Sequence, residues 1–367
     1  MTNKKRLLED FLRYVQIDSE SGNELEMCRQ VERDLKEMGY TPKTVQVQGD
    51  TNGYDLEVDI EGDQSKEPFI LCAHLDTVTP GNGIKPVVCE DGYIRSSGDT
   101  ILAADDKSGV AAIMEALHTV QETGISTRPL QIFFTVGEEV GMWGARAIRP
   151  EMLKAKYAAV FDTSKEIGRI VTASPGQLKL TATVKGVASH AGNAPEKGVS
   201  AILVAARALA AMKLQRIDEE TTANIGTFDA VGATNIISPR ADLVFEVRSR
   251  SKEKLYAQAD HMVQCLKDAC SEMGAELEYE IQESYLGYDI PDDHPVVKEL
   301  MRCCESIGVR PFTEATGGGS DANMLNTLGI TAVNVSTGME GSHTLKEQIE
   351  VERLEQASEL ILALMKG

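Results

Sequence analysis

The chain has 367 residues, of which 42% are hydrophobic and 26% charged, and a formal net charge of −20. That length exceeds what one core usually needs and suggests two domains of an ordinary globular protein. The acidic balance argues against nucleic acid and anionic membrane as partners, no apolar run is long enough for a transmembrane helix, and seven scattered cysteines without a CxxC pair argue against a disulfide framework or a thiolate zinc site.

The start, MTNKKRLLEDFLRYVQ, is basic but lacks an apolar h-region because Glu9 and Asp10 interrupt it, so the expectation is a cytoplasmic protein without a signal peptide. Apolar spacing predicts helices over 5–15 and 24–38. Strand-like runs follow at 43–47 and 55–60. The run 68–76 (PFILCAHLD) reads as a buried strand stopped by polar residues, 107–123 as a helix, 129–139 (PLQIFFTVGEE) as a second buried strand and 158–164 (AAVFDTS) as a third. Strands alternating with helices predict an α/β fold with a mostly parallel sheet covered by helices on both faces.

The pattern changes after 174–176. Alternation at 178–184, an Ala-rich helix at 199–212, strands at 222–229 and 242–248, a helix at 252–273 and a strand at 275–283 make two strand–helix–strand units, as in a small α+β sandwich. A turn at 288–294 then returns the chain to the first domain. The remainder supplies a helix from 296, a glycine-rich loop at 316–321, a strand at 331–335 and a helix at 351–365. The expected organisation is a catalytic domain in two parts, 1–175 and 289–367, with an inserted domain over 176–288.

The acids and histidines carry the functional signal. His74 and Asp76 fall at the end of one predicted strand, Glu138 and Glu139 end another, Asp162 a third, and Asp105 and Asp106 precede a helix. Strand ends in an open α/β sheet face a common crevice where ligands bind. Carboxylates converging there would repel each other unless one or two divalent cations removed that cost. Imidazole and carboxylate donors without thiolate suit zinc, cobalt or manganese better than calcium. Three carboxylates and two neutral imidazoles would match two such ions, which could clamp a water between them. The segment GGGSD (317–321) lacks the lysine of a nucleotide-binding P-loop.

The ordered motifs AHLDTV (73–78), GDTILAADDKSGVAAIMEAL (98–117), TVGEEVGMWGA (135–145), FDTS (161–164), KGVASHAG (185–192), GGGSDAN (317–323) and GSHT (341–344) cover nearly the whole chain. Together they resemble the zinc exopeptidase family of peptidase T, carboxypeptidase G, acetylornithine and succinyl-diaminopimelate deacylases and aminoacylase, and ADDK with EEVG resembles its peptidase T branch. The resemblance implies an inserted ferredoxin-like lid domain and two Zn2+ per subunit, with Co2+ or Mn2+ as substitutes. It implies that His74, Asp105 and Asp162 bind one ion and that Asp105, Glu139 and His343 bind the other. Asp76 would orient His74, and a cis peptide bond would follow Asp105. Glu138 would act as general base and His190 would stabilise the oxyanion. Asn235, Arg248, Gly318 and Gly319 would face the substrate.

The activity implied is hydrolysis of the terminal amide bond of short peptides, as by an aminopeptidase. N-acyl-amino-acid deacylation by the same centre is the alternative. A non-catalytic metal-binding regulatory protein is the reading from a different class, and it predicts a damaged Glu138 or ligand, which the sequence does not show. The resemblance also implies that such a lid can build a homodimer. The chain departs from the branch's pattern at Gly317, where an arginine is expected.

Overall fold

The computed structural model describes all 367 residues. They form two compact units, one of residues 1–172, 290–315 and 320–367, the other of residues 173–289 and 316–319. The short segment 316–319, which the sequence reading leaves with the larger domain, groups with the smaller unit.

The larger unit is built on one sheet. Its strands lie in the order Lys43–Val45, Asp55–Ile60, Leu130–Thr135, Phe69–His74, Tyr157–Thr163, Thr331–Ser336, Arg169–Ser174. The four strands from Leu130–Thr135 to Thr331–Ser336 are parallel to one another. Both flanks are antiparallel. Every residue of Phe69–His74 and of Leu130–Thr135 is buried, which is why these strands read as continuous apolar runs rather than alternations.

The helix Ala104–Thr123 packs against Phe69–His74 and Tyr157–Thr163 and meets Lys4–Val15 and Val351–Lys366. It is closed by Gly124 in the left-handed region. A buried ion pair joins the first of these neighbours to it: Glu115, fully buried, accepts from Arg6 Nε at 2.6 Å, Arg6 Nη2 at 2.9 Å and the Asn3 N–H at 2.7 Å. Removing one partner of such a pair typically costs ~3–5 kcal/mol, because it strands a charge away from water.

A second, antiparallel sheet of Pro86–Val88, Tyr93–Ser96, Met339–Glu340 and Gln348–Glu350 also belongs to the larger unit. Its strands have two to four residues, too short to show a periodicity in sequence. The connection between its last two strands carries His343.

The smaller unit follows the order strand Gly176–Lys185, helix Ala201–Ala211, strands Thr221–Asp229 and Arg240–Ser249, helix Lys252–Met273, strand Glu276–Tyr285. Its antiparallel sheet places Gly176–Lys185 between Arg240–Ser249 and Glu276–Tyr285. Alternate residues Leu178, Leu180, Ala182 and Val184 point into a core shared with Val204, Ala208, Phe245, Met262 and Leu266. Ser200 and Ser251 cap the two helices through their hydroxyls. This is the ferredoxin-like arrangement expected for the insert.

Candidate metal centre

In the larger unit, the parallel register aligns the ends of neighbouring strands. His74 pairs with Thr135 and Cys72 with Val160, so the residues just beyond Thr135 and at the end of Tyr157–Thr163 emerge beside His74. His74, Asp76, Glu138 and Glu139 therefore meet although they lie far apart in sequence. The start of the helix Ala104–Thr123 brings Asp105 to the same edge.

The donor atoms converge closely. His74 Nε2 lies 3.1 Å from Asp105 Oδ1 and 3.6 Å from Asp162 Oδ1. His343 Nε2 lies 2.8 Å from Glu139 Oε1 and 3.4 Å from Asp105 Oδ2. One carboxylate, Asp105, thus presents one oxygen to each histidine. Donors of His74, Glu138 and Asp162 lie within 4.8 Å of one another, and so do those of His74, Asp105 and Glu139. By position alone Glu138 stands with the metal-ligating candidates.

Asp76, fully buried, organises this edge from behind. Its Oδ1 lies 3.3 Å from His74 Nδ1 and accepts the Glu138 N–H at 3.0 Å, while Oδ2 accepts the Glu139 N–H at 3.2 Å and the Ser21 hydroxyl at 2.7 Å. The Asp76 carbonyl also lies 3.2 Å from His74 Nδ1. A proton held on Nδ1 by these acceptors leaves the Nε2 lone pair for the cluster.

The two adjacent aspartates have different surroundings. The peptide bond between Asp105 and Asp106 is cis. Asp106 spends its oxygens on backbone donors, accepting the His74 N–H at 3.1 Å and the Gly109 N–H at 3.1 Å. Asp105 alone turns its carboxylate to the histidines. The close approach of helix and strand requires Gly109: a Cβ there would lie 2.4 Å from the Phe161 carbonyl oxygen and 2.5 Å from Asp106 Oδ1.

The electrostatics are those of a cation site holding protons. Burial pushes the Glu138 and Asp162 carboxyls well above the ordinary range, with neighbouring carboxylates adding to the effect. Burial also opposes ionisation of Asp105, but hydrogen bonds from His343 and His74 outweigh it and hold its carboxyl below the usual range. Hydrogen bonds to Asp105 and Glu139 push His343 up to about 10.

The remaining sequence candidates lie in the smaller unit. There the segment at His190 bridges to Ile236, and the Ala191 N–H donates to the Asn235 carbonyl at 2.9 Å. The exposed His190 uses Nδ1 to accept the N–H groups of Gly192 and Asn193 at 3.1 and 3.2 Å. Arg248 directs Nε and Nη2 to the two oxygens of Glu246, at 2.7 and 3.1 Å, so the fork expected to face a substrate carboxylate faces an internal one. The Gly318 carbonyl accepts the Ser174 hydroxyl at 2.8 Å. Gly319 lies against Tyr285, whose ring a Cβ would meet at 2.5 Å.

Three residues to which the sequence reading assigns no role also lie around these donors. Ser21 holds Asp76, as described. Lys107, fully buried, donates Nζ to the Leu75 carbonyl at 2.6 Å and the Ser19 hydroxyl at 2.8 Å, and burial pushes its pKa down to about 8. Its sequence signal is a lysine directly after Asp105 and Asp106, at the start of a run of small and apolar residues from Ser108 to Met114. Glu347, buried, accepts the N–H groups of Leu102, Ala103 and Asp105. Those partners are backbone, so no side-chain pattern betrays them.

Residues 70–367 match the family described as Peptidase family M20/M25/M40. The chain is 40% identical over 369 residues to the Bacillus subtilis (strain 168) protein named Uncharacterized protein YqjE, covering 100% of this chain and 99% of that one. Among solved structures it is similar to the aminopeptidase PepT from Bacillus cereus, with 39% identity, a TM-score of 0.90 and coverage of 100% and 98% of the two chains. It is also similar to a tripeptidase from Staphylococcus aureus, with 37% identity, a TM-score of 0.95 and the same coverage. On its sequence, its fold and these relatives, the chain belongs to peptidase family M20/M25/M40 and is a peptidase T-like enzyme.

Proposed function

We propose that the protein is an aminopeptidase of short peptides that works with two divalent cations, zinc in the first instance. The observation that carries this reading is the position of Asp105: its two carboxylate oxygens face His74 and His343 separately, with Asp162 beside the first histidine and Glu139 beside the second. The chemistry of the set fits two borderline cations. Its donors are imidazole nitrogens and carboxylate oxygens, and the only cysteine on the adjoining strand, Cys72, is buried with its Sγ 3.8 Å from Asp321. In this reading His74, Asp105 and Asp162 hold one ion, and Asp105, Glu139 and His343 the other.

When bound, the two ions supply Lewis acidity at the scissile carbonyl and a water acidic enough to ionise near neutral pH. Glu138, beside His74 and Asp162, would hold at its carboxylate the proton given up by the attacking water and pass it to the leaving amine. Asp76 keeps His74 in the ligating tautomer and, by holding the N–H groups of Glu138 and Glu139, fixes base and ligand on one turn. His190 accepts at Nδ1, which leaves Nε2 to carry the proton and suits the neutral ring to donate to an oxyanion. For Asn235, Arg248, Gly318 and Gly319 we retain the substrate-facing roles that the family resemblance implies, and for the smaller unit the role of lid and homodimer contact.

The similar solved structures, of an aminopeptidase and a tripeptidase, support a peptide substrate with a free amino end. The deciding experiment strips the protein with a chelator, reloads it with Zn2+, Co2+ or Mn2+, and assays tripeptides, dipeptides and N-acetyl-amino acids. Release of the first residue from di- and tripeptides, restored by two equivalents of ion, is expected. Hydrolysis confined to the acylated amino acids would refute the aminopeptidase reading, and full activity in the stripped protein would refute the metal reading.

A further inference from the structure

The two loops that carry Asp105 and His343 converge on one buried carboxylate. Glu347 is 2% exposed. Its Oε2 accepts the N–H groups of Leu102 and Ala103 at 2.9 and 2.8 Å, and its Oε1 accepts that of Asp105 at 2.9 Å. The segment it holds is one that needs holding. Ala103 has a φ of 60°, in the left-handed region that non-glycine residues avoid, and Asp105 and Asp106 depart from helical angles although they lie at the start of a helix.

On its other side, Glu347 ends the turn that carries His343. The Glu347 N–H donates to the Thr344 carbonyl at 3.0 Å, and the Thr344 hydroxyl donates to the Gly341 carbonyl at 2.7 Å. His343 itself sits at a φ of 63°. Its side chain is 52% exposed, so packing does little to fix the ring. What sets His343 against Asp105 is the loop, and the loop ends on Glu347.

We propose that Glu347 is a positioning residue of the metal centre. It holds no ion itself. It fixes the Asp105 backbone from one side and the His343 turn from the other, and so sets the separation of the two ligands shared by the second ion. This rests on the two-ion reading above. The consequence is graded: loss of Glu347 weakens most the position built from Asp105, Glu139 and His343, where both of its supports act, and weakens less the position of His74, Asp105 and Asp162, which it reaches through Asp105 alone.

The test uses Glu347→Ala and Glu347→Gln, with Glu115→Gln as a control. Glu115 is equally buried and hydrogen-bonded, but to Arg6 and Asn3. Chelator-stripped proteins are titrated with Zn2+ against a chromophoric chelator, and unfolding temperature, kcat and KM are measured in parallel. The wild type is expected to bind two ions. Glu347→Ala should bind the ion at the position of Asp105, Glu139 and His343 roughly ten- to a hundredfold less tightly, the range found when outer supports of metal ligands are removed. Its kcat should fall with KM little changed and recover as Zn2+ is added in excess. Glu347→Gln, which keeps one carbonyl acceptor, should show a smaller loss of the same kind and carries the comparison if the alanine variant does not fold. Glu115→Gln should unfold at lower temperature with both affinities unchanged. Two ions bound by the Glu347 variants as tightly as by the wild type, or a loss no larger than in Glu115→Gln at equal thermal destabilisation, would overturn the proposal. A wild type that binds no ion would overturn the two-ion reading and this proposal with it, and that failure shows before any variant is compared.

Discussion

Asp76 accepts the backbone N–H of Glu138 at 3.0 Å through the same oxygen that faces His74 Nδ1. A single carboxylate therefore sets both the tautomer of a ligand and the turn that bears the proposed base. Hydrogen bonds to an ionised acceptor contribute roughly 1.5–3 kcal/mol each, and Asp76 collects several while fully buried. Asp76→Asn keeps the shape but must turn an amide N–H₂ towards one set of donors. It should lower Zn2+ affinity ~10–100-fold and lower kcat as well. Chelator competition and steady-state kinetics check this, and wild-type values for both would show that Asp76 is dispensable.

Glu138 and Glu139 are sequence neighbours whose substitution should separate two functions. Glu138→Gln removes the proton acceptor and is expected to keep both ions while kcat falls by at least ~10²–10⁴, the usual contribution of a general base. Glu139→Gln should instead lower the metal content. Elemental analysis beside kcat distinguishes them. Loss of metal in Glu138→Gln would make it a ligand, consistent with the position it shares with His74 and Asp162.

Much of the candidate site was legible in sequence because three of the four parallel strands run into His, Asp or Glu. Runs such as FILCAH and LQIFFT have no solvent face to absorb a polar residue, so His74, Glu138 and Glu139 stand out at their ends. The helix Ala104–Thr123 and the helices and longer strands of the smaller unit were legible because they are long enough to show a pattern. What escaped the pattern depends on backbone partners or on very short elements. Glu347 accepts only main-chain N–H groups, and Gln348–Glu350 is a three-residue strand that no periodicity can announce. The antiparallel flanks of the central sheet also stayed hidden, because Asp55–Ile60 and Arg169–Ser174 say nothing of their direction until their connections are known. The glycine-rich loop expected at 316–321 ends one residue earlier, because Ser320 and Asn323 form a reciprocal cap that starts a helix at Asp321.

Without ions, His343 holds a proton up to about pH 10 and His74 is likewise raised, although burial opposes its charge, because Asp105 and Asp162 hydrogen-bond to it. Ligation needs both imidazoles neutral, so loading must release protons and Zn2+ affinity should rise with pH through the neutral range. The stability of the stripped protein should change oppositely. A histidine whose pKa is raised by folding stabilises fully below its unfolded value of ~6.5, and that contribution is lost as pH climbs towards the folded value. The stripped protein should therefore lose stability between about pH 6.5 and about pH 10 more steeply than the loaded one. Calorimetric titration in buffers of different ionisation enthalpy measures the proton count, and a count of zero near pH 7 would contradict the charge state assigned to this pair.

Gly109 couples packing to the ligand geometry. It sits one helical turn after Asp105 and faces the carbonyl of Phe161, the residue before Asp162. A Cβ at 2.4 Å from that oxygen and 2.5 Å from Asp106 Oδ1 cannot be relieved by rotating a flexible side-chain end alone, since the first obstacle is backbone. Ala is the better helix former by about 1 kcal/mol, so propensity alone would make Gly109→Ala stabilising. The contact predicts the reverse, because overpacking in a closed interior usually costs ~1–3 kcal/mol. The shift must move the helix start, which carries Asp105, away from the strand end that carries Asp162, opening the pair of ligands around the first ion. Gly109→Ala should thus lower both the unfolding temperature and the affinity for Zn2+ at the position of His74, Asp105 and Asp162, measured on the stripped and reloaded protein. A variant that melts higher, as propensity alone demands, and binds both ions as the wild type does would show that the helix and strand have slack at this contact.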